Sequence, residues 1–538
     1  MNNDSKTNSN LMQNRLSGFY TAYVALIVAL GGFLMGFDAS VISGVVGFIE
    51  VEFSLSDIEL GWAVSSLTLT ATLGMLLSGP ISDHWGRKKV LKVAALLFFI
   101  SALASALATS FSTLVLARMI GGLGVGAALI IAPMYIAEIA PPKLRGRMVS
   151  FNQLNIVIGI SAAFFSNYLI LTAGQADSPL ANTLRLGDWN WRWMLGIEAL
   201  PALLYFVFLF LVPESPRWLV MKGLDQQALK ILKKTGDQHQ ASSSLQNIRN
   251  SIYTEARAVK PSFVELLHPS LRLVMILGLS IAILQQITGI NAVFFYAPMI
   301  FEQSGIGTDA AFVQAILVGL VNLLFTILAI LMVDKLGRRP LLVIGLMGIA
   351  AFMFLLSYGF QSATYTLTEQ AISGLSENIR EPLKALEGVV YTSDLSFKAA
   401  VVDALGNNLA KAHEAAILTA AATMNSKLIL IAILGFVASF AISIGPVMWV
   451  LFSEIFPNHI RAIAISFVGL INSAVSFLIQ LAFPWKLATI GAAPTFALFG
   501  TFALIGVFLT LRLLPETKGK SLEELENLLG TKASQYNK

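Results

Sequence analysis

The sequence predicts an all-α membrane protein: twelve transmembrane helices in two six-helix pseudo-repeats, with short cytoplasmic helices and both termini in the cytoplasm. Three observations predict it. Of 538 residues, 56% are hydrophobic and only 12% are charged, about half the charged share of a soluble domain. The apolar residues fall in twelve runs, each near the ~20 residues that cross a bilayer as a helix. Charged motifs from the first six runs return in the last six.

The runs follow one another at short intervals. The first half holds Gly18–Ile49, Leu60–Ile81, Val90–Thr109, Ser112–Ile136, Met148–Thr172 and Trp193–Leu211. The second holds Leu271–Phe301, Ala311–Val333, Leu341–Tyr358, Lys427–Phe452, Ile460–Phe483 and Thr495–Leu513. The chain divides accordingly into an N-terminal segment (1–17), a first half (18–212), a linker (213–269), a second half (270–514, with an insertion at 361–426) and a tail (515–538). The first run is too long for a signal-peptide core and reads as an uncleaved first helix.

Orientation follows from Lys and Arg, which favour the cytoplasmic loops. Arg87, Lys88, Lys89 and Lys92 follow the second run, Lys143, Arg145 and Arg147 the fourth, and Lys335, Arg338 and Arg339 the eighth. The loop after the first run is acidic, with Glu50, Glu52, Asp57 and Glu59. Even-numbered runs therefore end in the cytoplasm, and the protein is expected to be multi-pass in the plasma (inner) membrane. The net charge of +5 is accounted for by these loops, so no nucleic-acid partner is called for. The bilayer itself is the expected partner, and a monomer is expected to suffice. With no cysteine in the chain, disulfides and thiolate metal sites are excluded.

The repeat is read from its motifs. "DHWGRKK" (Asp83–Lys89) returns as "DKLGRRP" (Asp334–Pro340), 251 residues later by the step from 83 to 334. "AEIAPPKLRGR" (Ala137–Arg147) returns as "SEIFPNHIR" (Ser453–Arg461), 316 residues later by the step from 138 to 454. "PESPRW" (Pro213–Trp218) returns weakly as "PETKGK" (Pro515–Lys520). The larger second offset places an insertion between the ninth and tenth runs. Its acids, Glu369, Glu377, Glu381 and Glu387, leave either a short helical cap or a disordered loop. The linker contains a helix-like stretch, "SPRWLVMKGLDQQALKILKK", and is expected to form short helices rather than a domain. Two similar six-helix halves suit a secondary transporter with its substrate site near the midplane.

Asp38, Arg118 and Glu198 interrupt the first, fourth and sixth runs. An ionised side chain at the middle of a bilayer helix costs at least about 2.5–3.5 kcal/mol. Such residues are kept mainly where they pair or line an ion path. Counted from the run ends at 1.5 Å per residue, all three lie in the outer half at similar depth, so a triad is geometrically possible. If protonation of Asp38 releases Arg118 to Glu198, the guanidinium is never left unpaired in low dielectric. The alternative is a fixed structural ion pair. The proton is then the coupling ion, and no cofactor, metal centre or catalytic residue is expected.

The second half supplies amides within apolar runs: Gln285, Gln286, Asn291 and Asn322, with Trp449 after the Gly445–Pro446 pair. An amide both donates and accepts on one group, and an indole covers apolar C–H faces. Gly289 between Gln285 and Asn291 allows a locally unwound helix that aims both inward. Gln153 joins them from the fifth run and Asn472 from the eleventh. The alternative is that buried amides only hold helices together.

"GFDASVISG" (Gly36–Gly44), "RMIGGLGVG" (Arg118–Gly126), "PESPRWL" (Pro213–Leu219), "QQITGINAVFFYAP" (Gln285–Pro298), "GPVMWVLFSEIFP" (Gly445–Pro457) and "PETKGKSLEE" (Pro515–Glu524) occur in this order. Together they resemble the sugar porter family of the major facilitator superfamily, over nearly the whole chain. The resemblance implies proton–sugar symport, with Asp38 and Arg118 in the coupling role and Gln153, Gln285, Gln286, Asn291, Asn322, Trp449 and Asn472 on the sugar. Asn472 and Ser473 stand where many sugar porters carry a tryptophan, and Met35 where coupled relatives have an aromatic. A polyol, a larger sugar or an acidic sugar derivative therefore stays open beside a monosaccharide.

Asp83, Arg87, Glu138 and Arg145 recur as Asp334, Arg338, Glu454 and Arg461. Positive-inside anchoring accounts for Lys88 and Lys89 but not for the interleaved acids. These eight read as a conformational latch. Competing functions are a uniporter of the same fold, a drug–proton antiporter and a non-transporting sugar sensor. The fifth run lacks the proline of antiporters, and only Pro515–Lys538 follows the last run, where sensors carry a long tail. No nucleophile–base set or P-loop suggests an enzyme.

Overall fold

The computed structural model describes residues 2–141, 144–235, 241–257, 263–457, 460–520 and 524; the side chains of 2–18, 145–147, 255–257 and 334 lie outside that description. Twelve of its helices are long and apolar enough to cross a membrane. The spans are Phe19–Gly44, Asp57–Trp85, Arg87–Ala106, Phe111–Ile139, Met148–Gln175 and Asn190–Phe208, then Pro269–Phe295, Thr308–Val333, Arg338–Gln361, Ser426–Ile455, Arg461–Ile490 and Ala492–Leu513. They match the twelve apolar runs, and the chain is a multi-pass integral membrane protein.

The chain divides into two compact units. The first comprises Met1–Ala39, Leu67–Ala163 and Leu195–Lys260; the second comprises Ser40–Ser66, Phe164–Met194 and Pro261–Lys538. The second unit thus takes one end of the first, second, fifth and sixth spans together with all of the last six.

Inside the first unit, small residues let backbones approach, the usual device where lipid removes the hydrophobic drive between helices. A Cβ on Gly36 would lie 2.0 Å from the Ile156 carbonyl oxygen, and one on Gly126 would lie 2.0 Å from that of Ala71. These close approaches bring the first span to the fifth and the second to the fourth. The fourth span starts with a capping box, Ser110 and Thr113 each bonding the other's backbone N–H, which supplies two of the donors left free at a helix start. The linker forms short helices, Pro216–Met221, Asp225–Thr235 and Ala241–Arg257; residues 236–240 and 258–262 lie outside the described residues. In the second unit the ninth span packs against the tenth and twelfth, and the seventh against the eleventh.

The insertion is a folded element, and neither a lone cap nor a disordered loop describes it. β1 (Thr364–Thr366) pairs antiparallel with β2 (Val390–Tyr391) and β3 (Ala422–Thr423), in the order β2-β1-β3. Five short helices complete it: Glu369–Ser373, Glu377–Leu383, Asp394–Leu405, Asn407–Ala412 and Glu414–Ala421. Tyr365, Leu367, Ile379, Leu383, Phe397, Ile417 and Leu418 form its core, with the Tyr365 and Phe397 rings stacked at 5.3 Å. The acidic residues lie on the surface of this element, and the apolar ones between them are spaced to meet in a common interior.

Candidate functional site

In the first unit, Arg118 Nη1 bridges Asp38 Oδ1 at 3.1 Å, and each side chain is only 2% exposed. Arg118 Nη2 also donates to the Asp38 carbonyl at 3.4 Å. The remaining groups are poorly satisfied. Asp38 Oδ2, Arg118 Nε and Glu198 Oε1 are buried without a hydrogen-bond partner among the described residues. A buried unpaired polar atom costs about 1–3 kcal/mol, more when charged. All three belong to this one group of buried charges.

Local structure places each member. Asp38 lies three residues before the α-helix ends at Val41 and tightens into the 3₁₀ turn Ile42–Gly44. Glu198 lies where the sixth span breaks between the helices Asn190–Gly196 and Ala199–Phe208, within electrostatic reach of both Asp38 and Arg118. Gly121 floors the carboxylate: a Cβ there would meet Asp38 Oδ2 at 2.8 Å and Ser101 Oγ at 2.4 Å. The structure therefore joins Asp38 to Arg118 directly and sets Glu198 beside them.

In the second unit the seventh span is interrupted. Its helix Arg272–Ile287 stops, Gly289 adopts φ 90°, and a new helix runs Ile290–Phe295. A left-handed residue costs glycine no Cβ clash, and here the ring of Phe499 fills the space that a Cβ would need. The break lets Gln285, Gln286 and Asn291 converge. Gln286 Nε2 donates to Gln285 Oε1 at 3.1 Å and to Asn472 Oδ1 at 3.2 Å. Asn472 Nδ2 donates to Gln285 Oε1 at 2.7 Å and to the Ala282 carbonyl at 2.8 Å. Asn291 Nδ2 donates to Gln286 Oε1 at 2.8 Å and to Ser476 Oγ at 2.7 Å. Gln480 Nε2 extends the chain to Ser476 at 2.8 Å. Ser476 and Gln480 were missed in the sequence, although Asn472, Ser476 and Gln480 share one helical stripe at four-residue steps.

The network uses both side-chain N–H groups of Asn291; among the described residues no bond is made by Asn291 Oδ1 or by the second Gln285 N–H, beyond the 3.5 Å contact of Gln285 to the Gly445 carbonyl. It is thus an ordered set of donors and acceptors with free valences of both kinds. The tenth span breaks at Ser443, between the helices Ser426–Ile442 and Ile444–Ile455, ahead of Gly445–Pro446. Trp449 is 44% exposed and packs edge-on against Phe452. Asn322 is buried, but among the described residues no hydrogen bond joins it to the amide network. Gln153, in the first unit, is exposed.

The charged motifs close within each unit. Arg87 Nη2 meets Glu138 Oε1 at 3.1 Å and Arg87 Nη1 meets Asp83 Oδ1 at 2.8 Å. Ser215 donates to Glu138, and Glu214 accepts the backbone N–H of Lys88 at 3.1 Å. In the second unit Arg338 meets Glu454 at 2.9 Å, Thr517 donates to Glu454 at 2.6 Å, and Glu516 accepts the N–H of Arg338 at 3.1 Å. The weak third motif of the repeat is therefore its structural completion: Glu214 and Ser215 answer to Glu516 and Thr517. Burial pushes the Glu214 carboxyl up, opposed by the N–H groups it accepts. Arg461 Nε donates to the Phe456 carbonyl at 3.1 Å. The side chains of Arg145 and Asp334 lie outside the described residues.

Known proteins resemble this chain along nearly its whole length. A family model described as "Sugar (and other) transporter" matches residues 24–376 and 406–529. The arabinose-proton symporter of Bacillus subtilis is 35% identical over 509 residues, covering 95% of each chain. The D-xylose-proton symporter of Escherichia coli is 34% identical over 553 residues, covering 96% of this chain and 97% of its own. Among solved structures, the inward-open xylose transporter of E. coli matches with a TM-score of 0.71 and 32% identity, over 94% of this chain and 99% of that one.

Proposed function

Because the chain belongs to the sugar (and other) transporter family, we propose that it is a secondary carrier that moves a monosaccharide or related polyol together with a proton by alternating access. It is a carrier rather than an enzyme, it acts as a monomer in the bilayer, and its substrate is a sugar such as the arabinose and xylose named for its relatives. Even-numbered spans end in the cytoplasm, which puts the linker and both termini inside and the insertion outside.

The observation that carries the coupling is the Asp38–Arg118 pair, buried yet incompletely bonded. Ionised Asp38 holds Arg118. A proton on Asp38 removes one charge, the pair loosens, and Arg118 turns to Glu198, so the cation always has a counter-charge. Each proton crossing a 100 mV potential releases about 2.3 kcal/mol, enough to concentrate a sugar many-fold. The coupling ion is the proton and no other cofactor is needed.

Sugar recognition rests on Gln285, Gln286, Asn291 and Asn472, with Trp449 for the C–H face and Asn322 at the margin; Gln153 is the contact expected from the first half. A sugar hydroxyl donates to the open Asn291 carbonyl while a neighbouring one accepts from Gln285, a demand that vicinal diols meet. The charged motifs, Asp83, Arg87, Glu138 and Arg145 with Asp334, Arg338, Glu454 and Arg461, set the conformational equilibrium. The deciding experiment is uptake into proteoliposomes over a panel of sugars and polyols, with and without an imposed pH gradient. Accumulation that requires the gradient supports symport; equal equilibration with and without it would indicate a uniporter.

A further inference from the structure

The insertion is fastened in two ways. Toward the second half, Asp394 Oδ2 accepts the Ala492 N–H at 3.1 Å at the turn into the twelfth span, and the helix Glu414–Ala421 packs on the helix Ala297–Glu302 beyond the seventh span. Inside the insertion, Lys398 ties Asp394–Leu405 to Glu414 at 2.6 Å. Toward the first loop the fastening is ionic. Lys411 Nζ meets Glu50 Oε1 at 2.7 Å, the Leu55 carbonyl at 3.0 Å and Asp57 Oδ1 at 3.8 Å. Its helix, Asn407–Ala412, packs on Val46–Glu52, the short helix that follows the first span. Glu50 is largely buried there.

We infer that the insertion is the clasp of a gate: Lys411 holds the connection between the first and second spans through Glu50, the Leu55 carbonyl and Asp57, and the site opens to the outer face only when that contact releases. The inference rests on the alternating-access reading but goes beyond it, since the fold of the spans alone does not require the insertion to take part. Three acceptors converge on one cation, and all belong to the segment that continues from the helix bearing Asp38. The contact is polar, so water that enters on opening can take over its hydrogen bonds, as it could not for a greasy seal. A rigid core behind Lys411 keeps it in place to re-form the contact.

The chain has no cysteine, so a linked pair can be placed without removing others. In full-length E50C/K411C in proteoliposomes, counterflow exchange is measured with a panel of radiolabelled pentoses and hexoses that includes D-xylose. Addition of a reducible bifunctional thiosulfonate should cut exchange at least about ten-fold, and reductant should restore it. Full exchange in fully linked protein overturns the clasp and leaves the transport reading standing. Absence of exchange for any sugar in the wild type overturns the transport reading and the clasp with it. If the unlinked pair is inactive while the wild type exchanges, the charge swap decides. K411E alone should slow exchange and E50K/K411E should regain at least about a third of the lost rate; no regain overturns the clasp.

Discussion

Arg118 meets the Asp38 carboxylate through one guanidinium nitrogen, Nη1 to Oδ1 at 3.1 Å, and the second carboxylate oxygen, Oδ2, has no partner among the described residues. Arg–carboxylate pairs are frequently bidentate, and this one is not. The free oxygen is where a proton can arrive without first breaking the pair. Asp38→Asn should therefore abolish accumulation while keeping counterflow exchange. A variant that still concentrates sugar against its gradient would remove Asp38 from the coupling path.

Gly121 tests the same oxygen from below. A methyl group there lies 2.8 Å from Asp38 Oδ2, closer than van der Waals contact permits. Gly121→Ala should displace the carboxylate and lower proton-driven uptake about ten-fold or more, with a smaller loss in counterflow. Equal losses in the two assays would make the effect one of helix packing alone.

Gln286 makes three hydrogen bonds within the amide network. Each contributes about 0.5–1.5 kcal/mol, and its removal also disorders the donors of Asn291 and Asn472. Gln286→Ala should raise KM for the transported sugar at least about ten-fold. Equilibrium binding to the purified protein checks this, and unchanged affinity would dissociate the network from recognition.

The two halves of the charged repeat differ in burial. Arg87 and Glu138 are 4% and 9% exposed, whereas Arg338 and Glu454 are 12% and 20% exposed. Breaking a buried pair by deleting one charge costs about 3–5 kcal/mol, and exposure reduces that. Glu138→Gln should thus lower the thermal midpoint more than Glu454→Gln does. The reverse order would show that exposure does not set the strength of these pairs.

Glu302, in the segment between the seventh and eighth spans, has its carboxyl pushed up to about 7, by burial first and then by the charges of Glu414 and Glu50, against a hydrogen bond from Thr308. Its ionised form is disfavoured in this packing. The penalty is absent below the ordinary carboxylate range, grows as pH rises toward about 7, and stays constant above. Stability should therefore fall from about pH 5 to about pH 8, and Glu302→Gln should lose that part of the decline. Melting curves at the two pH values check it, with an identical decline in both proteins as the contrary result.

The spans and the central pair were legible because lipid makes their signals local. Each apolar run is long enough to count, and a charge inside one stands out, as Asp38 and Arg118 did. The Gly289 break was legible for the same reason, a glycine between polar residues in an apolar run. The insertion was not legible, since its core joins Tyr365 to Phe397 and Leu367 to Ile417 across distant stretches that no short window spans. Ser476 and Gln480 fell between these cases. Their stripe is visible, but a single serine or glutamine at a helix face has many uses, and only the bond from Asn291 fixes this one.

The strands by which the insertion leaves and rejoins the membrane helices are neighbours, with Thr364 opposite Thr423. Its two ends thus meet side by side, and its interior is filled by its own side chains. Such a cassette can be excised, lengthened or exchanged without shifting the register of the helices that flank it. This stretch of chain can therefore vary in size away from Lys411 and its ionic partners, while the helices beneath it stay bound by the demands of lipid and solute.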